Sequence, residues 1–200
     1  MSKGREKILE CFYVLRKPLY FNEIMRFTKL TPPTLLQHLN YFVKNNIFLK
    51  KKTLAHTHYT TNPKSSILHA LFAYCDAKRF EKLPSTRKRA IEEAIAVLPQ
   101  QPLIALIFGS TANSSFNSES DVDLLFVFQK KFDLPHNFFD VVEAHTGIVP
   151  QAFSVSYATF KQELLTKNDP VVAHALQTGF VLRGHFTYYT EVLACVGDFG

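Results

Sequence analysis

The chain has 200 residues, enough for one or two ordinary domains, with 46% apolar and 20% charged residues, which excludes a disordered polyelectrolyte. A formal charge of +6 and a pI near 9.2 favour polyanionic partners such as nucleic acid or nucleotides. Cys11, Cys75 and Cys195 are odd in number and far apart, so neither a disulfide framework nor a zinc spacing is present. The first residues lack the apolar core of a signal peptide, and no apolar run approaches the ~20 residues of a membrane span. A soluble, cytoplasmic protein with no membrane partner is expected.

The first sixty residues predict three helices and a hairpin. Residues 4–16 carry a stripe of Ile8, Leu9, Phe12 and Leu15, and Lys17-Pro18 ends it. Asn22 is a candidate cap for a second helix over 23–28, with Ile24, Met25 and Phe27 apolar. Thr31 followed by Pro32 predicts an N-cap and first-turn proline, opening a third helix to about Asn45 with Leu35, Leu36, Leu39, Phe42 and Val43 inward. "NNIFLKKKTLAHTHYTTN" then predicts strands near 47–52 and 56–60.

This order, carried by "TPPTLLQHLNYFVKNNIFLKKK", resembles the winged helix-turn-helix domains of transcription regulators over residues 1–62. The resemblance implies DNA as partner, with the third helix in the major groove. Thr31, Pro33, Thr34, Gln37 and His38 are its outward positions. Gln bonds adenine bidentately and Thr touches a thymine methyl. Lys44, Lys50, Lys51 and Lys52, with His56 and His58, would meet phosphates. Lysines on an edge strand also serve simply to block aggregation.

"NPKS" at 62–65 marks a boundary. A helical connector over 63–99 follows: one helix from Ser66 to about Leu83, then a second that Ser85 can cap. Ile91, Ala94, Ile95 and Leu98 form the inner face of the second. Arg87, Lys88 and Arg89 are read as a solvated face, with a phosphate contact as the alternative. From residue 100 to 200 the texture changes. "LIALIF", "DVDLLFVF", "VPQAFSVS" and "FVLRG" predict strands. Helices fit 136–145, 158–167, 170–178 and 186–195. Asp169-Pro170 opens the third of these and Gly179 closes it. The expected class is α+β.

Two acids introduce the greasiest of these strands. Side chains i and i+2 share a strand face, so Asp121 and Asp123 point the same way with Cα atoms roughly 6.5 Å apart. That spacing suits one or two divalent ions; Mg²⁺ takes a few carboxylates and completes its shell with water and substrate phosphates. Two such ions can stabilise the entering and leaving oxygens of a phosphoryl transfer. Gly109-Ser110 follows directly on "LIALIF". Gly109 permits close backbone approach, Ser110 offers a hydroxyl and an N–H, and a helix from about Thr111 would aim its N-terminus at the same anion. An Mg²⁺-nucleoside triphosphate needs both halves.

Gly-Ser, a loop of about ten residues and Asp-x-Asp on a strand, in "FGSTANSSFNSESDVDLLFVF", resemble the DNA polymerase β-type nucleotidyltransferase superfamily. The small members are most alike, namely the minimal nucleotidyltransferases of toxin–antitoxin pairs and the aminoglycoside nucleotidyltransferases. The resemblance implies transfer of a nucleoside monophosphate from Mg²⁺-NTP to an acceptor hydroxyl, with Asp121 and Asp123 on metal and Gly109 and Ser110 on phosphate. It also implies a third carboxylate, as general base, on a later strand. The matching segment "IVPQAFSVS" offers Gln151, Ser154 and Ser156 and no acid. Three outcomes stay open: a displaced acid (Asp140 or Glu143, with Glu163 further on), slow transfer to a metal-activated acceptor, or a domain that only senses nucleotide. A toxin-like protein partner and a homodimer are further expectations. His136, His145, His174 and His185 form no i, i+4 pair with one another and are expected to be singletons.

Overall fold

The computed structural model describes residues 1–52, 57–117 and 120–197. It is a mixed α and β chain with two small sheets, dividing into one unit of residues 1–75 and 189–200 and a second of 76–188. The segment 63–99 is shared between the two.

In the first unit, α1 (Lys3–Leu15), α2 (Phe21–Thr28) and α3 (Pro32–Lys44) precede β2 (Phe48–Lys52) and β3 (Thr57–Thr61). A two-residue strand, β1 (Leu19–Tyr20), joins them to make a sheet of order β1-β3-β2, antiparallel throughout. The core gathers Ile8, Leu9, Leu19, Ile24, Leu35 and Leu39 around an aromatic stack, in which the Phe48 ring lies 4.3 Å from Phe12 and 4.6 Å from Phe42. Several sequence expectations are corrected here. Leu15, Phe27 and Leu36 are exposed, because each lies off the narrow stripe that meets the core. Asn22 does not cap α2; Tyr20 occupies the cap position, and the Glu23 carboxylate accepts its backbone N–H at 2.8 Å. Thr31 does cap α3, but its hydroxyl pairs with that of Thr34 at 2.9 Å. The turn between β2 and β3, with His56, lies outside the described residues.

α4 (Ser66–Glu81) follows, and the division between the units falls within it and within α10 (His185–Gly197). The second unit is built on β4 (Ile104–Phe108), β5 (Val122–Phe128), β6 (Pro150–Ser156) and β7 (Phe180–Arg183), in the order β6-β5-β4-β7. β4 runs antiparallel to both β5 and β7; β5 and β6 are parallel, joined through α7 (Phe138–Thr146). β5 is buried along nearly its whole length, which explains a run of Leu, Phe and Val without alternation.

Its two faces nonetheless differ. Val122, Leu124, Phe126 and Phe128 share a core with Ala105 and Ile107 of β4, Ala152 of β6, Ile91 and Ala94 of α5 (Ser85–Ala96), and Phe138 and Val142 of α7. Asp123, Leu125 and Val127 point the other way. On that side lie α8 (Tyr157–Thr166) and α9 (Pro170–Thr178), and the Phe108 ring sits 6.1 Å from Phe153 and 5.6 Å from His174. Asp169 caps α9 as its sequence predicts, accepting the N–H groups of Val171 and Val172. Gly179 ends that helix in extended rather than left-handed backbone. Ser85 is the first residue of α5 and Pro84 its cap, a one-residue shift from expectation.

Candidate functional site

β4 and β5 are registered with Phe108 opposite Asp123, so the residue after Phe108 meets the Asp123 side chain. That residue is Gly109, with φ +63°, at the start of the short helix α6 (Gly109–Asn113). The helix therefore begins two residues before the expected Thr111. A Cβ at position 109 would overlap the Asp123 carboxylate, standing 2.9 Å from its Cγ. The left-handed turn and the absent side chain are thus both used: they admit the carboxylate against the backbone of the Gly-Ser turn. On its other side, the Gly109 N–H donates to the Thr178 hydroxyl of α9 at 3.3 Å. Ser110 is half-buried, and among the described residues its hydroxyl has no hydrogen-bond partner.

Asp121 lies just before β5 and is exposed, while Asp123 is half-buried. Burial, and after it the charge of Asp121, push the Asp123 carboxyl above the usual carboxylate range; His174 and Arg87 act in the opposite direction. A like-charged pair of this kind is relieved by a cation.

The loop that delivers Asp121 is held from behind by Arg87, a residue whose role the sequence reading missed. Its guanidinium is buried, not solvated. It donates to the Thr111 hydroxyl (2.8 Å) and to the carbonyls of Asn117 (2.9 Å), Ser120 (2.7 Å) and Asp121 (3.2 Å), and packs 4.2 Å from the Phe116 ring centre. Burial lowers its pKa; Asp121 and Asp123 raise it. Among the described residues it forms no ion pair with either carboxylate, so the acids are not neutralised by it. The signal was present in the sequence: Arg87, Ile91, Ala94 and Leu98 follow one helical stripe, and an arginine on an inner face needs acceptors there. Arg79 of α4 does similar work, donating to the carbonyls of Ala112 (2.9 Å), Thr178 (3.0 Å) and Gly179 (3.3 Å) and so tying α6 to the end of α9.

On the far side of Asp123, Gln151 of β6 stands directly in register with it and is exposed. Neighbours in register share a sheet face, so Gln151 stands beside Asp123 on that face. The candidate substitutes lie elsewhere. Asp140 and Glu143 belong to α7, which packs on the opposite face of the sheet. Glu163 is buried and accepts the N–H groups of Asn168 and Asp169, both at 2.8 Å.

The donor set fits Mg²⁺. Two carboxylates at a half-buried strand end leave room for phosphate and water, which that ion prefers to a full protein cage. Among the described residues no group of three or more His, Cys, Asp or Glu gathers that could hold a metal ion.

In the first unit, Thr31, Pro33, Gln37, Lys44, Lys50, Lys51 and Lys52 are exposed and Thr34 is half-buried. His38 is turned away from that group. It packs against Gly4 of α1, where a Cβ would come 2.5 Å from Nε2 of the ring, and its Nδ1 is buried with no hydrogen-bond partner among the described residues. His58 meets the ring of Tyr20 edge-on at 5.9 Å. No helix of the described residues is long and apolar enough to cross a membrane. A scan against protein-family models finds no match, and searches of the curated proteins and of the solved structures find none either.

Proposed function

We propose that the second unit binds an Mg²⁺-nucleoside triphosphate and transfers its nucleoside monophosphate to an acceptor hydroxyl, and that the first unit binds DNA. The observation that carries the first half is the interlock of Gly109 and Asp123: a phosphate-type turn and a metal-type carboxylate built against each other, with a repelling second carboxylate beside them. Asp121 and Asp123 would hold the metal, which supplies charge neutralisation at the phosphates. Ser110 offers its backbone N–H and its hydroxyl to phosphate oxygens, and Gly109, whose own N–H is taken by Thr178, lets the backbone approach them closely. Arg87 fixes the loop of Asp121, and Arg79 fixes the turn relative to α9. The acceptor oxygen would bond to the α-phosphorus as the bond from that phosphorus to the pyrophosphate oxygen breaks, the acceptor's proton passing to solvent water and pyrophosphate leaving.

DNA binding is supported by the order of three helices and an antiparallel three-stranded sheet, which suits a winged helix-turn-helix, and by the exposure of the start of α3 and of the lysines on β2. His38 is not part of this reading, because its ring is packed on α1.

One observation favours a second reading, a regulator whose transferase unit senses nucleotide without transferring it. Gln151 holds the place beside Asp123, and an amide cannot accept the acceptor's proton. The experiment that separates the two incubates the protein with Mg²⁺ and each labelled NTP in a native lysate. A labelled macromolecule with wild type and none with Asp123→Asn supports transfer. Tight Mg²⁺-dependent NTP binding with no labelled product supports the sensor.

A further inference from the structure

We infer that His174 binds the terminal phosphates of the triphosphate, as the side-chain donor that completes the Gly109–Ser110 half of the site. This rests on the nucleotide-binding reading above. The site has two sides. Gln151 of β6 flanks Asp123 on one; the Gly-Ser turn, following β4, flanks it on the other. α9 lies on the second side, because the Thr178 hydroxyl both accepts the Gly109 N–H and donates to the His174 carbonyl at 2.9 Å. His174 therefore stands one helical turn along α9 from the residue that touches the turn. Its ring packs edge-on against Phe108, the residue preceding Gly109, at 5.6 Å and 83°. It is nevertheless exposed, on the face of the sheet that carries Asp123.

A triphosphate seated at the turn needs more donors than the Ser110 N–H and hydroxyl, since the Gly109 N–H is taken by Thr178. The nearby arginines are spent on backbone carbonyls: Arg79 on three, and Arg87 on three and a hydroxyl. Imidazole presents an N–H in either neutral tautomer and two when charged. His174 thus stabilises the leaving pyrophosphate and takes no proton from the acceptor, which belongs on the Gln151 side.

The test is calorimetric binding of Mg²⁺-NTP and Mg²⁺-NMP to wild type, His174→Ala and His174→Arg, each of the four bases being tried and the tightest used. His174→Ala should weaken triphosphate binding about tenfold, the range of one hydrogen bond to a charged group. Monophosphate binding should be unchanged, and His174→Arg should retain most of the triphosphate affinity. Equal triphosphate affinity in wild type and His174→Ala, or an equal loss for monophosphate, overturns the assignment while leaving the nucleotide site intact. If wild type binds none of the four triphosphates, the proposed function fails and this inference with it.

Discussion

Replacing Gly109 by alanine tests the centre of the site. Position 109 has φ +63°, where a residue with a Cβ costs about 1–2 kcal/mol relative to glycine. The new methyl would also stand 2.9 Å from Cγ of Asp123 and 3.4 Å from its Cβ, so the carboxylate must swing off its rotamer at a cost of about 1 kcal/mol. The sum, about 2–3 kcal/mol, lowers the thermal midpoint by roughly 4–12 °C for a protein of this size. The two parts separate in a double-mutant cycle. Asp123→Ala removes the overlap and leaves the backbone strain, so Gly109→Ala should cost about 1 kcal/mol less in that background. Thermal or urea denaturation of the four proteins gives the coupling, and calorimetry with Mg²⁺-NTP should show that Gly109→Ala alone has lost binding. A strictly additive cycle, or a Gly109→Ala protein with wild-type stability, would refute the claim that turn and carboxylate are built in contact.

Arg87→Ala should destabilise by about 1–3 kcal/mol, since it strips a donor from the buried Thr111 hydroxyl and from three part-buried carbonyls. Arg87→Lys should rescue little, because an ammonium cannot reproduce the planar fork; urea denaturation of both variants measures this. Asp123 holds its proton more tightly when folded than when unfolded, so without metal its ionisation opposes folding. The contribution of Asp123 to stability should therefore fall as pH rises from the ordinary aspartate value through the raised one, against the opposite slope of Glu23, whose pKa is lowered. Asp123→Asn should remove that slope, and at neutral pH be at least as stable as wild type; thermal midpoints across pH 3–8, in EDTA, compare the two, and an unchanged slope in the variant contradicts the burial argument. In the first unit, alanine at Lys50, Lys51 and Lys52 should lower the slope of log affinity against log salt by about one per lysine. Fluorescence anisotropy with duplex DNA reads the slope, and an identical value in the triple variant removes these lysines from the interface.

Element types were legible in the sequence because their signals are local. Pro32 after Thr31, Pro170 after Asp169 and the apolar run from Leu124 to Phe128 each specify a helix start or a buried strand without long-range information. β1 was not legible: two residues carry no periodicity, and Leu19–Tyr20 is a strand only because β3 pairs with it. Leu15, Phe27 and Leu36 show the limit of periodicity, which gives a stripe but not its width. The spacing of Gly109, Ser110, Asp121 and Asp123 was readable, as was the lack of an acid in the strand that carries Gln151. The inward placement of Arg87 was readable from its stripe with Ile91, Ala94 and Leu98, but the acceptors of Arg79 and Arg87 were not, since most are backbone carbonyls, as far as 100 residues away, and any sequence presents those. His38 failed for the same reason: whether an outward helical position meets solvent or α1 depends on a neighbour, Gly4, more than thirty residues earlier.

Titrating Mg²⁺-NTP into wild type and into Asp123→Asn, with and without EDTA, tests the central claim most directly. The account predicts saturable binding to wild type that disappears in EDTA and in Asp123→Asn, while the variant stays folded. Binding of equal strength to wild type and variant, or the absence of any metal-dependent binding to wild type, would contradict it.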